Sequence, residues 1–423
     1  MKTHITLSAF FLILLAMLFS CSLPAENHES PEEEESISSD NQQADPLLTL
    51  SKDLKETATD GDEVFFTVVF DSQGGSPVDN QTVTEGSLLV EPEPPILTGK
   101  VFVGWLEPIS DKFWNFSKDQ VFSDLTLYAQ WVECTEGLEY TLINDDTEYS
   151  VSKGTADTTR PILIPEYWNG KKVTAIGDDG FFECDLVPLI YLPESITYIG
   201  YRAFAKCTNL AVVNLPDSVA YIGAAAFAGC SSLISMTIPE GVSYIGDTTF
   251  ALCSNLISVT LPENISTIGN SAFYSCYNLK TVKMPQNAES MGEMVFAMCR
   301  SLEEISIPVG ITSVKKYLFY NCTSLTSVSI PDVISIEQAA FFNCSSLLEI
   351  ELMESLETIG MMAFRSCSSL STITIHSVVP PSLDSYVFSG CSGISAILVP
   401  PESVEDYKSA PGWSDYYSKI MPQ

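Results

Sequence analysis

From about residue 160 the apolar positions along the chain fall into a repeating frame. In "TIPEGVSYIGDTTFALCSNL", Thr237 to Leu256, the order of Pro, Ile, Gly, Phe, Cys and Leu is that of "NLPDSVAYIGAAAFAGCSSL", Asn214 to Leu233. The pair Phe-x-x-Cys recurs ten times, from Phe181/Cys184 to Phe388/Cys391, with Cys spacings of 23 six times, then 22, 23 and 24. Each turn reads L-x-x-[VI]-x-[LIM]-P-x-x-[VI]-x-x-I-G-x-x-[AT]-F-x-x-C-x-x-L. Leu256, Val259 and Leu261 alternate as a half-buried strand does, and Pro262 ends it. Ile265 and Ile268 predict a second short extended segment facing the same core; Gly269 supplies a turn, and "NSAFYSC" closes the coil. A fixed period in the twenties predicts a solenoid, because one coil cannot bury its apolar stripe alone and must stack on its neighbours. Parallel strands about 4.8 Å apart give ten coils a length of roughly 45 Å. The phenylalanines should stack as a spine inside it.

The pattern changes at both ends of the array. Over residues 64–132, "VFFTVVFDSQGG" alternates and then turns at Gly74–Gly75, and "GKVFVGWLEP" and "SDLTLYAQW" are two more aromatic strands. Trp105, Trp114 and Trp131 are expected to fill the core of this small unit, since domains of that size need their aromatics inside. Residues 133–160, with "ECTEGLEYTLINDDTEYSVSKG", read as an N-terminal β-cap, and the "NDDTE" run within it as a turn rather than a cation site. After Cys391 the rhythm stops. Residues 161–399 hold the repeats, and 400–423 read as a helical closing cap; "VPPESVEDYKSAPGWSDYYSKI" resembles the terminal cap common to such repeats, which implies that Tyr407 and Trp413 cover the final coil.

The repeat resembles the BspA-like (Treponema pallidum type) leucine-rich repeat, in period and in six or more positions per turn. The front unit resembles the Listeria–Bacteroides repeat, a β-grasp-like module. The matching residues are "VVFDSQGGSPV", Gly86, Pro92, Gly99, "FVGW" at Phe102 to Trp105, "WNF" at Trp114 to Phe116 and "LTLYAQW" ending at Trp131. The expected fold is mainly β: a leucine-rich-repeat solenoid of about ten 23-residue coils preceded by a small β-grasp-like domain. The resemblance implies a non-catalytic surface protein that adheres to a host matrix protein or another cell-surface macromolecule.

Charge and the N-terminus sharpen this. The net charge of −34 argues against nucleic acid, whose phosphates are bound by Lys and Arg. Residues 1–20 have a charged start at Lys2 and an apolar run, Leu7 to Phe19, too short to span a bilayer comfortably. The run ends in "LFSC", Leu18 to Cys21, which resembles a bacterial lipobox. That resemblance implies a lipoprotein signal peptide, an acylated Cys21, and a chain held to the outer membrane or cell surface by lipid alone. Residues 21–63 follow as an acidic tether: Ala25 to Glu63 carries thirteen Asp or Glu against Lys52 and Lys55, with little to bury.

Catalytic chemistry finds few candidates. His4, His28 and His376 are the three histidines, none within a nucleophile motif, and no P-loop, GxGxxG, EF-hand loop or HExxH occurs. The ten repeat cysteines share one register, so their side chains run parallel; a row of free buried thiols is expected, not disulfides or a metal site. No enzyme and no cofactor is expected. The remaining feature is the outward face of the first strand of each coil. Thr281, Lys283, Glu304, Ser306, Ser327, Ser329, Glu349 and Glu351 lie on it, and Lys280 and Glu303 are expected to pair laterally beside it. This strip is the candidate binding surface. A structural spacer, a surface-assembly component, or a glycan-binding accessory with the front tryptophans exposed are the alternatives.

Overall fold

A computed structural model describes residues 63–423; the signal segment, Cys21 and nearly all of the tether lie outside the described residues. The described chain forms two bodies.

In the front body a mixed five-stranded sheet runs in the order Gln81–Thr84, Phe65–Asp71, Leu125–Glu133, Lys100–Glu107, Lys112–Phe113. Its core is Val68, Phe70, Leu89, Trp105, Val121, Leu127 and Ala129, on which Trp114 and Trp131 pack. The sheet alternates because only one of its faces meets this core. Trp105 is 2% exposed. The Trp131 Nε1–H donates to the Ser72 carbonyl at 3.0 Å. The tryptophans therefore form no open platform.

The second body is the solenoid. A hairpin, Glu139–Ile143 with Glu148–Ser152, begins it. Asn144, Asp145 and Asp146 turn the hairpin with three successive positive φ angles of 52°, 53° and 62°, and Asn and Asp tolerate that region best among residues with a Cβ. Each coil then supplies two short parallel strands. The first strands, such as Ser258–Thr260 and Thr281–Lys283, pair residue for residue with the next coil, Val259 opposite Val282. The second, such as Thr267–Ile268 and Ser290–Met291, do the same on another side of the coil.

The third side is not a sheet but is laddered all the same. Ser271 and Ser275 hold φ of 55° and 59° on either side of Phe273. These left-handed residues turn alternate backbone N–H groups toward the following coil. Ser271, Phe273 and Ser275 donate to the carbonyls of Glu293, Val295 and Ala297 at 2.8, 3.0 and 2.8 Å. The same pair of left-handed positions recurs from Asp179/Glu183 to Tyr386/Gly390.

Inside the coils the phenylalanines stack from Phe181 to Phe388, with adjacent centroids 5.0–5.8 Å apart. The repeat cysteines are free and buried. Each thiol from Cys207 onward donates to the carbonyl of the preceding coil's phenylalanine: Cys276 to Phe250 at 3.1 Å, Cys299 to Phe273 at 3.2 Å.

At the far end Trp413 and Tyr407, both fully buried, take over the spine; the Trp413 ring lies 5.9 Å from Phe388 and 5.3 Å from Tyr407. The closing segment is only partly helical. Helix Val404–Ser409 is followed by a 3-10 turn, and Ile420–Pro422 returns as a strand beside Ala396–Val399. The last strand forms because Ile420 fills the inward position of one more coil.

Candidate binding surface

The first strands decide what the solenoid shows to solvent. Their central residues, Val259, Val282, Ile305 and Ile350, are inside, 2–7% exposed. Alternation then forces the flanking side chains outward. Thr281, Lys283, Glu304, Ser306, Ser327, Ser329, Glu349 and Glu351 together line a shallow concavity of about 840 Å³ that runs from Ser258 to Thr374.

The strand ladder is interrupted twice under this surface. The hydrogen-bonded groups end with Thr281–Lys283, restart at Glu304–Ser306, and restart again at Glu349–Leu352. The second strands carry an irregularity in the same coils. Gly246, Gly269 and Gly292 stack because each Cβ would meet the backbone of the coil behind at 3.0 Å or less. At the next two coils Lys315 and Glu337 occupy that register and pair, Nζ to Oε1, at 3.2 Å. Side chains there hold the coils differently from the glycine row. Met353, in place of the usual proline, lines the concavity as well.

The strip holds one lysine against three glutamates, Glu304, Glu349 and Glu351. Lys283 is already engaged: its Nζ lies 2.8 Å from Glu263 Oε1, while Glu263 Oε2 accepts the Gln286 N–H at 3.0 Å. The Lys283 hydrogen bond, then that N–H, hold the Glu263 carboxyl below its usual range, and the same bond raises the Lys283 ammonium. Both groups face solvent, so the pair contributes little stability. Lys280 and Glu303 lie outside the concavity. Among the described residues they form no ion pair, contrary to the lateral pairing expected; what joins them is backbone, the Glu303 N–H to the Lys280 carbonyl at 3.5 Å. Both precede the strands and stand at the sheet margin, exposed. Glu351 is met by His376, Nε2 to Oε1 2.8 Å. Glu304 and Glu349 have no ion-pair partner among the described residues. The surface is therefore hydroxyl-lined and net acidic.

Comparison with known proteins now fits the geometry. The sequence profile of the BspA type leucine rich repeat region matches six copies across residues 174–303 and 266–395. This chain belongs to the BspA-type leucine-rich repeat family. The Listeria-Bacteroides repeat domain matches residues 66–130. Similar solved structures include a leucine rich cell surface protein of Faecalibacterium prausnitzii, 25% identical, covering 64% of this chain and 88% of that one with a TM-score of 0.46. A leucine-rich repeat protein of T. pallidum is 24% identical and covers 50% and 88%, with a TM-score of 0.38. A protein of Evansella cellulosilytica, provisionally named a Gly-rich membrane protein, is 34% identical over 110 residues. The chain spans 13% and 14% of the length of the two curated relatives it matches. BspA-type proteins are bacterial surface proteins of generally non-catalytic fold.

Two partners of the surface were not singled out from sequence: Glu263, which engages Lys283 from outside the concavity, and His376, which meets Glu351 at its margin. His376 and Met353 both stand at the proline register, so a break in the motif was the available signal. A second missed feature is aromatic. "TYIG", "AYIG" and "SYIG" put Tyr198, Tyr221 and Tyr244 in one register of the second strands. Tyr198 and Tyr221 stack at 4.5 Å, and Tyr244 meets Tyr221 edge-on at 5.6 Å.

Proposed function

We propose that this BspA-type protein is a lipid-anchored surface protein that binds a macromolecular partner, a host matrix protein or another cell-surface macromolecule, along the first-strand face. The observation that carries the proposal is the hydroxyl-lined concavity across six coils. Extended solenoid faces bind macromolecules through many contacts spread over such a surface. Its unpaired Glu304 and Glu349 favour a partner that presents cationic and hydrogen-bonding groups. The front tryptophans, Trp105 buried and Trp114 and Trp131 half-buried against the same core, weigh against a glycan-stacking accessory role.

The test is binding of the whole chain to immobilised matrix proteins over a range of salt concentrations. Saturable binding that weakens with salt, and that falls at least tenfold in Glu304→Lys/Glu349→Lys, supports this face. Binding unchanged in that variant sinks it. The anchor has its own test: mass spectrometry of the mature N-terminus should find acylated Cys21, and Cys21→Ala should release the chain from the membrane fraction. A membrane-retained Cys21→Ala chain would refute lipid anchoring.

A further inference from the structure

The coil that ends at Cys391 is one residue longer than the repeat, and the added length lies in His376–Ser377–Val378–Val379–Pro380–Pro381. In the regular coils this stretch is a proline turn that sends an aliphatic residue inward. Here Pro381 goes inward and buries, while Val378 and Val379 are pushed out, 54% and 74% exposed. The loop is nevertheless fixed at both ends by the cap. The Tyr407 hydroxyl donates to the Ser377 carbonyl at 2.8 Å, and the Trp413 Nε1–H to the Pro381 carbonyl at 2.7 Å. Ser377 Oγ donates to the Val379 carbonyl at 2.7 Å within it. Two apolar side chains are thus held out in water by buried aromatic anchors, an arrangement that does not serve the core.

Beside the loop is a groove of about 820 Å³, walled by Leu356, the two valines and the proline pairs Pro380–Pro381 and Pro400–Pro401. Its rim carries Glu354, Glu357 and Glu402, none of them in an ion pair among the described residues. The His376–Glu351 pair stands between this groove and the strand-face concavity. Apolar walls with a ring of carboxylates select for an apolar anchor flanked by cations. A second copy of this chain, at net charge −34, would bring like charge to the site.

We infer that the groove between the Ser377–Pro381 loop and the C-terminal cap is a docking site for a short basic segment of a partner protein carrying an aliphatic anchor. It is separate from the strand face and takes its partner at the end of the solenoid. A preformed groove of this size accommodates a short segment without rearrangement.

The probe is a fluorescein-labelled (Lys-Leu)₄ peptide, with (Lys-Ser)₄ and (Glu-Leu)₄ as controls, titrated against the whole chain by fluorescence anisotropy. The expected result is saturable binding of (Lys-Leu)₄ alone. It should weaken at least tenfold in Val378→Ser/Val379→Ser and in Glu354→Gln/Glu357→Gln/Glu402→Gln, but not in Glu304→Lys/Glu349→Lys. All substituted side chains are exposed or at the rim, and unchanged circular dichroism and melting confirm the fold of each variant. Equal binding of (Lys-Ser)₄, loss only in the strand-face variant, or no binding would each overturn the inference. So would a dimer in sedimentation velocity that Val378→Ser/Val379→Ser dissolves, since a second copy would then be the occupant.

Discussion

Cys276 gives its thiol proton to the Phe250 carbonyl, which also accepts the N–H of Cys253. The row is thus a ladder of weak bonds inside a core, its thiols free and buried. Burial pushes the thiols of Cys230, Cys276 and Cys322 well up, and that of Cys253 up to about 12. A folded-state pKa above the unfolded value of about 8.5 favours the protonated thiol in the fold, so its contribution is complete below about pH 8.5 and is lost as pH rises toward 12. Each such thiol costs about 1.4 kcal/mol per pH unit in that window. Nine of the ten repeat thiols, Cys207 to Cys391, are pushed up and make the urea midpoint fall steeply between pH 9 and 10. Cys276→Ala should flatten that slope by about one ninth whatever it does to stability at pH 7; an unchanged slope would contradict the linkage. A second prediction concerns Leu252, which holds φ at 65° with half its surface exposed, at the register where Gly229 and Gly390 stand in their own coils. A left-handed residue with a Cβ costs about 1–2 kcal/mol, so Leu252→Gly should stabilise by about 1 kcal/mol in urea unfolding.

A coil is held by what its neighbour lets approach, and the glycine register shows this most directly. A Cβ at Gly269 would lie 2.6 Å from the Asp247 backbone nitrogen, so Gly269→Ala should cost about 3 kcal/mol through overpacking. Lys315 occupies the same register two coils on with a full side chain. There Lys315→Ala should cost under about 1 kcal/mol, because it loses only a partly exposed ion pair. Equal costs at the two sites would mean that the coil spacing does not differ between them. The motif made the coil legible: strands, turn, inward Phe and inward Cys all follow from period and alternation. It did not reveal the left-handed pair around each Phe. Those positions hold Ser, Leu, Met, Tyr and Glu as well as Gly, and so leave no compositional trace. The engagement of Lys283 was hidden for a related reason. Strand register places Lys283 beside Thr260, but the side chain turns to Glu263, twenty residues earlier in the chain.

At the scale of the whole array, stability is a sum of coil terms and nearest-neighbour interfaces. Phe273 stacks on Phe250 and Phe296 at 5.6 and 5.5 Å with planes within 5°, so its removal weakens two interfaces in the middle of the array. Phe273→Ala should cost about 3–5 kcal/mol, and more than the stacking is at stake: the N- and C-terminal halves lose the coupling that makes them melt together. Calorimetry should then resolve two transitions where the parent shows one. Phe388 has one phenylalanine neighbour and is otherwise met by Trp413 and Tyr416. Phe388→Ala should instead fray the last coil and the cap, lowering the onset of melting without splitting it. If both variants gave one shifted transition of equal width, the array would fold as a single cooperative unit and the nearest-neighbour picture would fail. The contrast also bears on function. A strand face that spans six coils can bind as one surface only while those coils remain coupled. Phe273→Ala should therefore weaken strand-face binding near the lower transition, while peptide binding in the terminal groove persists to the melting of its own half.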